Sequence, residues 1–378
     1  MHNKPYTAEN TTATPWLINV KPKELLVYKG NKLSAEYIWS LNEAEREKLV
    51  DYLFDHFRLA GFPYPKISDT KLQQSYSKLK EYIPCTVGDD NVLQNSGSIG
   101  LDIVKHFHGA KFYGSKTENG RSVLEVFNND ELLRKVLKNR LGWCTSSEDG
   151  AERPYAFGLT NDMLIQGIRS SGLSKSISQF KIPLAQFLYS TYCPKGGTVG
   201  DFSAGWGARL LGAASLGFQY YGIDPLTAPE CQDMLNLYEA EGLTIKGGSE
   251  DVKSYERIPQ VDVWMSSPPY FNLECYADDA GQCYAQFPEY STWLEKYWRP
   301  TVANCLTKLI PGGRFILVMN DSYKKYNLLA DMTQICLDSG LRIEKEYFTK
   351  TSKSHLSSKK QSGENVKFND RITVFSSQ

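Results

Sequence analysis

The chain contains no CxxC pair and only five histidines, a composition that excludes a cysteine-rich zinc module. Its eight cysteines are scattered from Cys85 to Cys336 without the spacing of a disulfide framework, so free thiols in a reducing compartment are expected. No apolar run approaches the length of a membrane span, and Met1-His-Asn-Lys opens without the apolar core of a secretory signal. A cytoplasmic location with no membrane partner is the expectation. Charge of one sign is also missing. Lys+Arg and Asp+Glu number 43 each, so a polyanionic partner would have to be met by a local basic surface. No internal repeat or long low-complexity tract is present.

What remains is an ordinary globular composition, 41% hydrophobic over 378 residues, enough for two domains. Asn42 precedes a run to Phe57 in which Leu49, Val50, Leu53, Phe54 and Phe57 recur at helical spacing, closed by Gly61 and Pro63. Residues 65–150 mix short helical patterns, such as 130–140, with turn-rich segments. From about residue 160 the pattern becomes regular. Strands are predicted at 198–203, 220–224, 243–247, 261–267, 313–320, 341–348 and 371–375. Helices are predicted at 182–192, 208–216, 230–241, 290–309 and 328–339. This alternation predicts an α/β fold: a mostly parallel sheet with helices on both faces, preceded by a mixed α+β region. The expected division is 1–155 and 156–378.

Two constellations carry chemistry. In Asp201-Phe-Ser-Ala-Gly205-Trp-Gly207, Gly205 and Gly207 sit on a strand-to-helix turn, and Asp224 ends the next strand. Such a layout lines a nucleoside with glycine backbone and offers a carboxylate to its ribose hydroxyls. No third glycine completes the dinucleotide fingerprint. Asp201 would repel a pyrophosphate but attract a sulfonium, which suits S-adenosylmethionine (SAM). Ser203 lies in the same loop, and Glu250 and Asp251 follow the third strand, within reach of an adenine.

The second constellation is Ser267-Pro268-Pro269-Tyr270, about 60 residues downstream, at the end of an apolar strand. Two prolines fix a rigid turn whose carbonyls point outward. A hydroxyl, a carbonyl and an aromatic face are thereby held together, the parts needed to grip a planar ring and accept both N–H bonds of its amine.

In these two motifs, and in Gly222-Ile-Asp224-Pro225, Tyr290-x-x-Trp293-Leu294 and Leu309-Ile-Pro-Gly-Gly313, the chain resembles SAM-dependent DNA amino-methyltransferases. The resemblance is to the adenine-N6 and cytosine-N4 type, especially those of phage and mobile elements, and spans roughly residues 160–378. It implies a Rossmann-like methyltransferase fold and methyl transfer to a base flipped from duplex DNA, within DNA methylation or restriction-modification. It further implies cofactor contact by Phe180, catalysis at Ser267, Pro268, Pro269 and Tyr270, and base contact by Tyr270, Phe271 and Tyr276. The serine leans toward cytosine, with adenine open. A cysteine nucleophile for ring-carbon methylation is rejected, because the one Cys-Pro pair, Cys193-Pro194, has the reverse order and precedes the cofactor loop.

The spacing leaves no room for a recognition domain between the two motifs. Recognition is therefore expected in the N-terminal region, residues 271–290 or residues 349–369. The last of these holds five lysines against one glutamate, and Lys350, Lys353, Lys359 and Lys360 are the expected phosphate contacts. No metal site is expected, and His106 and His108 read as structural. RNA as substrate, or a non-catalytic SAM or nucleic-acid binding module, are the competing readings. Composition says nothing of the oligomeric state.

Overall fold

The computed structural model describes residues 32, 33, 38, 40–65, 67–82, 86–88, 91–94, 97–143, 159–175, 177–276, 281–319, 325–350 and 368–377. The chain forms two compact units, Met1–Pro65 with Tyr113–Ser176, and Lys66–Phe112 with Ile177–Gln378. It therefore passes between units three times, whereas the sequence suggested a single boundary near residue 155. The reason is that residues 66–112 supply strands to the large sheet.

Among its described residues the first unit is mainly helical, with short strands at Lys32–Leu33, paired antiparallel with Leu159–Thr160, and at Lys116–Thr117. Its helix Glu43–Ala60 starts where Asn42 accepts the Glu45 N–H at 3.0 Å and Glu45 returns the favour to the Asn42 N–H at 2.9 Å. The helix ends at Gly61, whose φ of 79° suits glycine. Its buried stripe closes on Phe127, edge to face with Phe57 at 6.3 Å between ring centroids.

The second unit is built on a nine-stranded sheet. In chain order the strands are β1 (Thr86–Val87), β2 (Val92–Gln94), β3 (Thr198–Asp201), β4 (Gln219–Ile223), β5 (Gly242–Ile245), β6 (Val261–Ser266), β7 (Leu309–Met319), β8 (Arg342–Lys350) and β9 (Phe368–Ser376). Their spatial order is β1-β2-β8-β9-β7-β6-β3-β4-β5. The run β7-β6-β3-β4-β5 is parallel, while β9 lies antiparallel between β7 and β8. The order steps outward from β3 in both directions, through β4 and β5 on one side and β6 and β7 on the other. Right-handed crossovers then place helices on opposite faces either side of that point. This is the Rossmann-like, mostly parallel α/β architecture expected from the sequence.

The helices include α1 (Leu101–Gly114), α2 (Ile182–Tyr192), α3 (Ala208–Ser215) and α4 (Ala228–Leu237). Helix α2 begins with Pro183 in its first turn, where a missing N–H costs nothing. The single helix predicted over 290–309 is Tyr290–Trp293, a π-helical turn Leu294–Trp298, and Arg299–Lys308 in succession. The core between sheet and helices is aromatic: Phe202 stacks on Phe315 at 5.2 Å, and Trp264, Trp293 and Trp298 are fully buried. Gly200 permits this, since a Cβ there would lie 2.4 Å from the Trp264 ring. Among the described residues no helix is long and apolar enough to cross a membrane.

Candidate functional site

Strands β3 and β6 are neighbours at the place where the strand order reverses, and both predicted motifs leave their carboxyl ends. A crevice forms at that position in open α/β sheets. Here it holds a cavity of ≈ 460 Å³, within the range of small-molecule sites.

The glycine loop forms one wall. Gly205 and Gly207 take φ of 56° and 75°, left-handed values that favour glycine. A Cβ on Gly207 would also stand 2.9 Å from Met234 Sδ, so helix α4 packs directly on the bare backbone. Asp224 follows β4 and is 9% exposed. Its Oδ2 accepts the Gly205 N–H at 2.9 Å, and its Oδ1 accepts those of Leu226 and Thr227, both at 2.8 Å. The carboxylate thus clamps the glycine loop while facing the cavity. Burial raises the Asp224 carboxyl and the three N–H donors draw it back.

The proline turn forms the opposite wall, with Ser267, Pro268, Pro269 and Tyr270 all lining the cavity. Its geometry is held from below by Phe271, an uncommon non-glycine residue at positive φ, 53°. Phe271 is buried edge to face against Tyr290, Trp293 and Tyr326 at 5.5–5.7 Å. That aromatic cage over-determines the strained backbone. Phe271 is therefore core, and the second aromatic wall predicted for it is absent from the cavity lining. Tyr276 does line the cavity, with its ring 6.1 Å from that of Trp206.

Of the predicted cofactor residues, Phe180, Ser203, Gly205, Asp224 and Glu250 share this cavity, whereas Gly207 is not in its lining and packs against Met234. Burial raises the Glu250 carboxyl. Two others are placed differently. Asp251 is exposed and caps the 3-10 turn Val252–Tyr255, accepting the Lys253 N–H at 3.0 Å. Asp201 is wholly buried and faces Arg209, whose Nε donates to it at 2.8 Å, with further donation from Tyr220 Oη at 2.8 Å. A carboxylate so engaged has no opening toward a sulfonium. Lys350 ends β8, with only its backbone described, and Lys353, Lys359 and Lys360 lie outside the described residues.

Several cavity residues escaped the sequence reading. Arg209 lies against Phe180, its guanidinium carbon 4.9 Å from the ring centroid, and donates to the Ser203 carbonyl. Gln179 lines the cavity, and its Nε2 is buried with no hydrogen-bond partner. Tyr297 reaches the cavity from the π-helical turn, its hydroxyl 3.5 Å from Ser203 Oγ. Glu274 joins Tyr276, whose hydroxyl donates to its Oε2. Arg209, Gln179 and Tyr297 form no motif, although Gln179 adjoins Phe180; Glu274 belongs to the acidic stretch that follows the proline turn in the sequence. Cys283 also lines the cavity, but burial pushes its thiol up to about 12, so it offers no thiolate. Among the described residues no cluster of His, Cys, Asp and Glu could hold a metal.

No protein-family model matches the chain, and no curated protein matches it in sequence. Solved structures with a similar backbone include a methyltransferase from Pyrococcus furiosus, at 15% identity over 51% of this chain and 82% of that one, TM-score 0.33. A SAM-dependent methyltransferase from Corynebacterium glutamicum aligns at 15% identity over 56% of this chain and 94% of its own, TM-score 0.33. A T. thermophilus 16S rRNA N2 methyltransferase, solved with AdoMet and guanosine, aligns at 16% identity over 53% and 44%, TM-score 0.33.

Proposed function

We propose that this chain transfers a methyl group from SAM to the exocyclic amine of an adenine or cytosine in DNA. One observation carries the reading: the Gly205–Gly207 loop with Asp224 and the Ser267–Tyr270 turn line the same cavity.

The residues present suit the cofactor. Asp224 is placed for ribose hydroxyls, and Glu250, after β5, for the adenine side. Gln179 Nε2, a buried donor without a partner, together with Lys181 on the same wall, would receive the cofactor's carboxylate. When bound, SAM supplies an electrophilic methyl on a sulfonium. On the facing wall, Ser267 Oγ and the Pro268 carbonyl would each accept one N–H of the target amine. An amine conjugated to a base ring is a weak nucleophile, and two acceptors draw its nitrogen toward sp3 and free its lone pair. Held in this way, the amine nitrogen would take the methyl as its bond to sulfur breaks, leaving a neutral thioether, and would pass one proton to water. Placement of the two reactants supplies most of the advantage. The Tyr270 ring would stack on the extruded base and offset part of its unstacking.

The test is transfer of labelled methyl from SAM to duplex DNA, beside single-stranded DNA and RNA, with the methylated nucleoside identified by mass spectrometry. Methylated adenosine or cytidine on the amine, in DNA, is expected. SAM binding without transfer to any nucleic acid would overturn the reading, and transfer confined to RNA would move it to that substrate.

A further inference from the structure

We propose that Glu274, oriented by Tyr276, selects the substrate by donating a hydrogen bond to an unprotonated ring nitrogen beside the reacting amine, the N=C–NH2 edge of adenine or cytosine. The inference deepens the proposed function and rests on it.

The cavity carries four carboxyl groups, from Asp224, Glu250, Glu274 and Asp370, the last accepting from Thr349 Oγ1 at 3.2 Å. The first two stand after β4 and β5, on the cofactor side of the sheet. Glu274 follows the Ser267–Tyr270 turn by four residues, and the Tyr276 ring packs 6.1 Å from that of Trp206. A carboxyl within an otherwise aromatic wall is costly to bury unless it is hydrogen-bonded. Tyr276 Oη meets that need on Oε2.

Counting donors and acceptors identifies what the other oxygen is for. An exocyclic amine brings two N–H groups, and the proline turn already offers two acceptors, Ser267 Oγ and the Pro268 carbonyl. The neighbouring ring nitrogen brings one lone pair in the same plane, and that lone pair needs a donor. Neither the prolines nor a carbonyl can provide it. A protonated carboxyl can, because its carbonyl oxygen accepts from Tyr276 while its O–H points onward. Desolvation raises the Glu274 carboxyl against the Tyr276 hydrogen bond, which lowers it, and the net rise is toward that form.

The experiment is a cycle between protein and substrate. Methyl transfer is measured for the protein and for Glu274→Ala and Glu274→Gln. The oligonucleotides carry either the natural target base or its deaza analogue, with C–H in place of that ring nitrogen. SAM binding by calorimetry accompanies each variant and is expected to be unchanged, which separates a folding defect from lost recognition. The unaltered protein should lose about 10- to 100-fold on the deaza substrate, the worth of one buried hydrogen bond. Glu274→Ala should lose a similar factor on the natural base and nothing further on the analogue. Glu274→Gln, whose amide keeps a donor, should stay within about fivefold on the natural base. Equal deaza penalties with and without Glu274 would overturn the assignment while leaving methyl transfer standing. Absence of transfer by the unaltered protein would remove both.

Discussion

Ser266 Oγ donates to Asp201 Oδ1 at 2.7 Å, joining the last residue of β6 to the last residue of β3. Both chain segments of the site begin one residue later, so this bond sets the spacing between the cofactor loop and the proline turn. Arg209 completes the junction with two bonds to Asp201 and one to the Ser203 carbonyl. The pair is 5% and 0% exposed. A charged pair this deep contributes little net stability, but it has well-defined geometry and a large penalty for being broken. Its value is positional.

Removing one side of the junction should be worse than trimming its edge. Asp201→Ala leaves the Arg209 guanidinium buried and unpaired, a loss of about 3–5 kcal/mol. Ser266→Ala leaves the ion pair intact and removes one donor to a carboxylate, about 1–2 kcal/mol. Urea unfolding followed by circular dichroism distinguishes the two. Equal losses would mean that the ion pair does not hold the junction.

The glycine loop supports a second comparison. Gly207→Ala meets both a left-handed φ of 75° and Met234 Sδ at 2.9 Å, and should cost about 2 kcal/mol or more. Gly205→Ala has φ of 56° but no atom nearer than 3.7 Å, so only the backbone penalty of about 1 kcal/mol applies. Thermal melts should order the variants in that way. SAM affinity, read by calorimetry, should fall for Gly205→Ala, since Gly205 lines the cavity.

Much of this site was legible because its residues are conformational extremes. Glycine pairs and proline pairs restrict the backbone wherever they occur, so Gly205-Trp-Gly207 and Ser267-Pro-Pro-Tyr270 announced their turns without any knowledge of neighbours. Strands β6 and β7 were legible for a related reason: both faces are largely buried, and the resulting apolar runs are hard to mistake. The hidden part depended on partners distant in sequence. Asp201 looked available because nothing local reveals Arg209 and Tyr220 closing on it. Phe271 looked like a wall because its cage of Tyr290, Trp293 and Tyr326 comes from other segments. Strands β1 and β2 are two and three residues long, too short for a period-2 pattern, and β2 pairs with β8 more than 250 residues away.

Adjacent aromatic residues on the proline turn should separate chemistry from stability. Tyr270 faces the cavity and Phe271 is 2% exposed in the core. Tyr270→Ala should therefore leave stability within about 1 kcal/mol while lowering methyl transfer about 10- to 100-fold, the worth of one base–aromatic stack. Phe271→Ala should cost about 3–5 kcal/mol through the void it leaves. Denaturation and single-turnover transfer, measured on the same preparations, check the contrast; a stable, active Phe271→Ala protein would contradict the account of the turn.

Acid sensitivity should trace largely to His108, on α1. The side chain is 1% exposed, and desolvation lowers its pKa from 6.5 to about 4, with Glu230 opposing that shift and Lys111 adding to it. Its ring is edge to face with Trp206 at 5.6 Å, so protonation would place a charge against the floor of the cofactor loop. A histidine with a folded-state pKa below its unfolded value binds its proton more readily when unfolded. Its contribution to stability is therefore complete near neutrality and declines as pH falls from about 6.5 toward about 4. Between pH 7 and pH 4.5 that amounts to about 2–3 kcal/mol. His108→Gln keeps a neutral polar group of similar size and should remove that part of the slope, leaving only what the carboxylates contribute. Urea midpoints of both proteins across this range give the difference directly. Parallel curves would show that His108 does not titrate in the window, and the neutral, buried imidazole assigned here would have to be given up.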